Sequence, residues 1–182
     1  MWIGDGVEIG DGARLGTGAR LGTGAQIGDG VEIGDRAWIG DGVEIGAYVW
    51  IGARVEIGDG VEIGARARIG ARALISNGAQ IGDGARLGDG ARLGAGARLG
   101  AGARGVIADL GSEQIRGHAR IAYWGSDGAI RISAGCRDFS LAEARTHWGA
   151  GYSGERRIGD EYLAMLDYVE RVAKVSHSPT DR

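Results

Sequence analysis

The sequence predicts a mainly β fold, a β-solenoid followed by a small C-terminal α+β module, and three observations predict it. Residues 3–104 repeat every six residues without insertion, as in IGDGVE, IGDGAR and LGTGAR. Every unit opens on an aliphatic residue, from Ile3, Ile9 and Leu15 through to Leu99. From Gly105 onward the period stops and the composition becomes ordinary. A repeat this short can bury its apolar side only by stacking on its neighbours.

Within a unit, Val7-Glu8-Ile9 or Ala13-Arg14-Leu15 reads in, out, in, which is the alternation of a half-buried strand. The Gly-Asp-Gly that follows is turn chemistry, with glycine supplying positive φ and aspartate tolerating turns. Seventeen units therefore read as seventeen very short strands, each followed by a corner. Collagen fails, because the glycine spacing alternates two and four and the chain has a single proline. Calcium-binding nonapeptide solenoids fail on their period of nine. A flexible glycine-rich linker does not keep seventeen aliphatic residues in strict register.

The [Ile/Leu]-Gly-x-x-[Ala/Val]-x pattern of residues 3–104 resembles the hexapeptide-repeat family of left-handed parallel β-helices. That resemblance implies three hexads per triangular coil of 18 residues, wound left-handed against the usual crossover rule. Seventeen units then make about 5.7 coils without loop insertions, in a prism about 27 Å long. It also implies assembly in threes.

Residues 18 apart then share a face. The first face carries Glu8, Gln26, Glu44, Glu62, Gln80 and Arg98 and reads as solvated. The second carries Arg14, Glu32, Trp50, Arg68, Arg86 and Arg104, and the third Trp2, Arg20, Trp38, Glu56, Leu74 and Arg92. One row of corners stays small, a second changes to Tyr48 and Arg66, and a third stacks Arg36, Arg54 and Arg72. Outward Trp and Arg are the residues enriched at interface centres. Trp38, Trp50, Tyr48 and Leu74 with Arg36, Arg54 and Arg72 are therefore expected at a homo-oligomer interface, in a homotrimer. Arg68, Arg86 and Arg104 stack like charges about 5 Å apart. They are expected either to dock acids of the C-terminal module, the favoured outcome, or to bind an anion. Met1 and Trp2 precede the first full unit, so Trp2 is expected at an end-to-end contact with a second β-prism or a phage structural protein.

After residues 105–118, a connector and cap, a small ββαα module is expected over 119–175 and a frayed tail over 176–182. Ala119–Trp124 and Ala129–Ala134 flank Gly-Ser-Asp-Gly, a hairpin signal. Ser140-Leu-Ala-Glu143 is a capping box that opens a helix through Trp148. Asp160 reads as the cap of a last helix with Tyr162, Leu166, Val169 and Ala173 on one face. The Ala-Gly-Cys136-Arg-Asp-Phe139 stretch, with EARTHW and EYLAMLDYVE, is similar to the tail domain of uncharacterised hexapeptide proteins of phages and prophages. That resemblance carries no established activity.

Composition narrows the function classes. A net charge of −3 offers no basic field for nucleic acid or membrane surfaces. No apolar run approaches membrane-spanning length, and the opening MWIGDG leaves no room for a signal peptide. A lone cysteine, Cys136, fits a reducing compartment, so a cytoplasmic location is expected, with or without incorporation into a phage particle. The family resemblance implies a solenoid histidine as base in its acyltransferases and three histidines on a metal in its carbonic anhydrases. Residues 1–104 contain no His, Cys or Lys and only Ser76 among serines. Neither a metal nor a cofactor is expected. Cys136 and His147 form a nucleophile–base pair on paper, but a buried small Cys and a helix-terminal His explain them better. His118 and His177 stand apart. The sequence therefore predicts a non-catalytic structural or interaction protein, encoded by a phage or prophage, and not an enzyme. The alternatives are an acyltransferase with an atypical site at a subunit groove, or an anion-binding module on the Arg68/Arg86/Arg104 wall.

Overall fold

A computed structural model of the chain describes residues 1–109, 120–134, 137–149 and 156–175. Seventeen two-residue strands follow one another every six residues, from β1 (Trp2–Ile3) and β2 (Glu8–Ile9) to β17 (Arg98–Leu99). Every third strand stacks in parallel, so three sheets form the three walls of a prism. The register is 18 residues throughout, pairing Trp2 with Arg20, Glu44 with Glu62 and Arg68 with Arg86. These are the three faces read from the sequence, and the chain is a mainly β, parallel β-solenoid with a small C-terminal α/β module.

The bore is filled by the two apolar positions of each unit, such as Val49 with Ile51 and Ala67 with Ile69, which are essentially without solvent contact. In the first coil Met1, Trp2, Ile3 and Ile9 are exposed. Each corner uses its two glycine positions differently. A Cβ on Gly34 would lie 2.6 Å from the backbone nitrogen of Ala53 in the next coil, so the first position is set by close stacking. The second position takes a left-handed backbone, with φ near 60°, and it is here that Arg36, Tyr48, Arg54, Arg66 and Arg72 replace glycine. Each such replacement costs about 1 kcal/mol. Corner aspartates add a ladder of their own: Asp29, Asp35, Asp41, Asp83 and Asp89 each accept a backbone N–H from the preceding coil at 2.7–2.8 Å.

The module closes the other end. Strand β18 (Val106–Asp109) joins β19 (Arg120–Trp124), β20 (Ile130–Ala134) and β21 (Arg137–Ser140) in one antiparallel sheet. Ile121 and Tyr123 of β19 pack into the solenoid core, while Ala122 and Ile132 pack against the helices on the other side. The period of two thus makes a single sheet both the lid of the solenoid and the floor of the module. The sequence foresaw the β19–β20 hairpin but not β18 or β21. Helix α1 (Leu141–Gly149) starts on the expected box: Glu143 Oε2 accepts the Ser140 N–H at 2.7 Å, and Ser140 Oγ accepts the Glu143 N–H at 3.2 Å. Helix α2 (Arg156–Val175) buries Tyr162, Leu166, Val169 and Ala173 as expected. It begins before Asp160, which lies exposed inside it and is not its cap. No helix among the described residues is long and apolar enough to cross a membrane.

Candidate functional site

The first face, read from sequence as solvated, is where the structure builds a groove against the module. A cavity of about 640 Å³ runs along Gln26, Glu44, Glu62, Gln80 and Arg98 and ends against Tyr123, Ser133, Arg137 and Asp138 of the module. The sheet lid overhangs this face, which the linear pattern does not reveal. Tyr123 reaches Asp138: its hydroxyl donates to Asp138 Oδ2 at 2.7 Å and accepts the Gly100 N–H at 3.3 Å. Burial, followed by the Asp138 hydrogen bond and charge, pushes the Tyr123 phenol far above its ordinary value. The phenol therefore stays protonated and holds the carboxylate in place. Ser133, cross-strand from both Ile121 and Asp138, is 2% exposed and lines the groove. Its hydroxyl has no hydrogen-bond partner among the described residues, an uncommon state for a buried polar group. Gln80 donates to Glu62 at 3.2 Å along the wall.

Because the phenol ionises at higher pH when folded than when unfolded, Tyr123 stabilises the fold below its unfolded value of ~10. That contribution is lost as pH rises above ~10 towards the folded value. Between about pH 10 and 12, stability in urea should therefore fall more steeply for the native protein than for Tyr123→Phe. Parallel curves would mean that the phenol is not buried against Asp138.

A second groove, of about 610 Å³, follows the corner row of Arg36, Arg54 and Arg72, with Thr17, Asp35 and Asp89. This edge lies across the prism from the first face. Asp35 and Asp89 each already accept a backbone N–H, and none of the three arginines is in an ion pair among the described residues. Trp38 and Trp50, each 45% exposed, sit on the two sides of this edge, with Tyr48 and Leu74 also exposed. Arg68, Arg86 and Arg104 stack in register on the second face without a carboxylate partner among the described residues. His147 is exposed in the last turn of α1 and stacks on Phe139 at 5.1 Å. Cys136, His118 and His177 lie outside the described residues. Among those described, no cluster of His, Cys, Asp and Glu could hold a metal.

The model of the bacterial transferase hexapeptide, six repeats, matches residues 30–77 and 66–101. The solenoid belongs to the hexapeptide-repeat superfamily of left-handed β-helices. By sequence, no curated protein matches the chain significantly. Among solved structures it is similar to WeeI of Acinetobacter baumannii, with 29% identity over 66% of this chain and 54% of that one, at a TM-score of 0.56. It is similar also to a mutant of the GDP-perosamine N-acetyl transferase of Caulobacter crescentus, solved with CoA and GDP-perosamine: 24% identity, 65% of this chain, 51% of that one, TM-score 0.55. The acetyltransferase domain of PglB from Neisseria gonorrhoeae follows at 22% identity, with 54% and 53% covered and a TM-score of 0.43. The chain spans about half the length of each of these proteins.

These likenesses correct two expectations. The non-catalytic structural or interaction role does not stand, and neither does the statement that the chain is not an enzyme: the solenoid shares its fold with a GDP-perosamine N-acetyl transferase. The physical reason is that a solenoid without histidine lacks one kind of base, not every base. The groove carries carboxylates, and its Asp138 comes from the appended module, where inspection of residues 1–104 could not find it.

Proposed function

We propose that the chain is a hexapeptide-type acyltransferase whose base is a module carboxylate in place of a solenoid histidine. The observation that carries this reading is the groove on the first face, where exposed Asp138 is held by the Tyr123 phenol beside the Ser133 hydroxyl, which has no partner among the described residues. Asp138 takes the proton from the attacking amine or hydroxyl of the acceptor. Ser133 offers a donor to an acceptor oxygen at the groove floor. At the module end of the groove Arg98 and Arg137 offer donors to negative charge on the acceptor, while Glu44 and Glu62 lie farther along the wall. A nucleotide-linked amino sugar, like the one in the Caulobacter structure, has both features.

A coenzyme A thioester would supply an acyl group already activated for transfer. The residues present fit it: Arg36, Arg54 and Arg72 outnumber Asp35 and Asp89 in the groove and are in no ion pair among the described residues, and stacked guanidinium groups suit its phosphates. Edge and groove lie on opposite sides of one prism, so the reading also requires a second copy to bring them together. The exposed Trp38, Trp50 and Leu74 beside the arginine edge support self-association there, and hexapeptide solenoids commonly associate in threes. The test is thiol release from acetyl-coenzyme A with a panel of nucleotide-linked amino sugars. Release that depends on the acceptor is expected. Binding of acetyl-coenzyme A with no acceptor-dependent release across the panel would reject transfer.

A further inference from the structure

The second face carries charge that neither the groove nor the arginine edge uses. Arg68 and Arg86 are direct cross-strand partners, and Arg104 extends the column by a bridge to Arg86. Successive coils are about 4.8 Å apart, so three guanidinium groups share a strip about 10 Å long. Arg66 stands at the adjoining corner, two residues before Arg68, in the left-handed conformation with φ 60°. All but Arg104 are exposed, and among the described residues none is in an ion pair. The nearest acids by position are Asp83 and Asp89 at the corners either side of Arg86, and each gives one carboxylate oxygen to a backbone N–H of the preceding coil.

Among the described residues, no acid of the module pairs with this column. The module's lid overhangs the first face, and its described ion pairs are internal: Arg131 with Asp127, and Arg145 with Asp167 and Glu170. Like charges directly opposite one another in a sheet are unfavourable, and they become favourable together only with an anion between them. The strain at Arg66 points the same way, since a glycine there would relieve it and remove a cation.

We propose that Arg66, Arg68, Arg86 and Arg104 form a binding site for a short chain of phosphate groups. Guanidinium groups at one-coil intervals on a rigid wall offer paired N–H donors to successive phosphates, and the exposed Trp50, in register with Arg68, offers a ring face only at one end of the column. A strip this short and flat suits an oligophosphate and offers a nucleic-acid duplex no groove contact. The phosphates have two sources, a free oligophosphate or a nucleoside triphosphate, and the experiment separates them.

The experiment titrates the full chain with sodium tripolyphosphate by calorimetry at fixed ionic strength, with sodium sulfate and ATP as comparators. Tripolyphosphate should bind at least tenfold more tightly than sulfate, and more weakly as salt rises. Arg86→Gln should weaken it about tenfold, while Arg92→Gln, on the third face, should leave it unchanged. Equal affinity for ATP and tripolyphosphate assigns recognition to phosphates from either source. Tighter tripolyphosphate binding assigns it to free oligophosphate. ATP binding that tripolyphosphate fails to displace overturns the proposal, as does equal loss in the Arg86 and Arg92 variants. The site is separable from acyl transfer: Arg86→Gln should not change acetyl-coenzyme A binding, and in an Arg54→Ala background Arg86→Gln should still weaken tripolyphosphate binding about tenfold.

Discussion

Gly52→Ala is expected to destabilise the solenoid by about 3 kcal/mol, the upper end for overpacking a tight contact. An added Cβ would lie 2.6 Å from the nitrogen and 2.8 Å from the Cα of Ala71, both backbone atoms of the next coil. Neither can rotate away. The coils would have to separate where Gly52 donates to the Ile69 carbonyl at 2.8 Å and Arg72 to the Ala53 carbonyl at 3.0 Å. Gly42→Ala makes the control, because that glycine has φ 62° and open space around its missing Cβ. It should cost about 1 kcal/mol, the left-handed penalty alone. Arg36, Arg54 and Arg72 already bear that penalty at the equivalent corner position. Ser76 stands at the first-glycine position of its unit, so the solenoid accepts one Cβ there, two coils from its end. Urea unfolding of the two alanine variants decides the matter. Equal losses would mean that coil spacing is not what sets the first glycine.

Asp138→Asn is expected to lower kcat for acyl transfer by about 10²- to 10⁴-fold, the range for loss of a positioned general base. The amide can still accept the Tyr123 hydroxyl, and the side chain is exposed, so stability and KM should change little. Glu62→Gln removes one of the two carboxylates that the solenoid gives the same groove, the other being Glu44, and should have a much smaller effect. If Glu62→Gln is the severe variant and Asp138→Asn retains activity within about threefold, the base is on the solenoid wall.

The solenoid was legible because two periods coincide in it. A six-residue repeat and a two-residue strand alternation fix which side chains face in, and the 18-residue register follows from the family geometry, as the Glu56–Leu74 pair shows. The Ser140–Glu143 box and the hairpin around Gly125 and Gly128 were legible because local chemistry alone determines them. The arginine edge was visible as departures from glycine at Arg36, Arg54 and Arg72, although only the structure gives their left-handed backbone. The groove was not visible. It exists because β19 through β21 fold back over the first face, and no linear pattern encodes which face a lid will cover. Asp138 lies in a strand that reads as a polar stretch, Arg-Asp-Phe-Ser. Ser133, its cross-strand neighbour, looked like the outward half of an alternating strand. The one available signal was Tyr123, a polar-tipped residue at an inward position that needs a partner when buried.

Equilibrium binding of acetyl-coenzyme A to the full chain tests the central claim most directly, because it does not depend on knowing the acceptor. A dissociation constant between about 1 µM and 1 mM is expected, the usual range for such substrates. Arg54→Ala should weaken it about tenfold through the loss of one charged phosphate contact. A protein that takes up no acetyl-coenzyme A at millimolar concentration, or takes it up equally well after Arg54→Ala, would contradict the assignment of the arginine edge to the acyl donor.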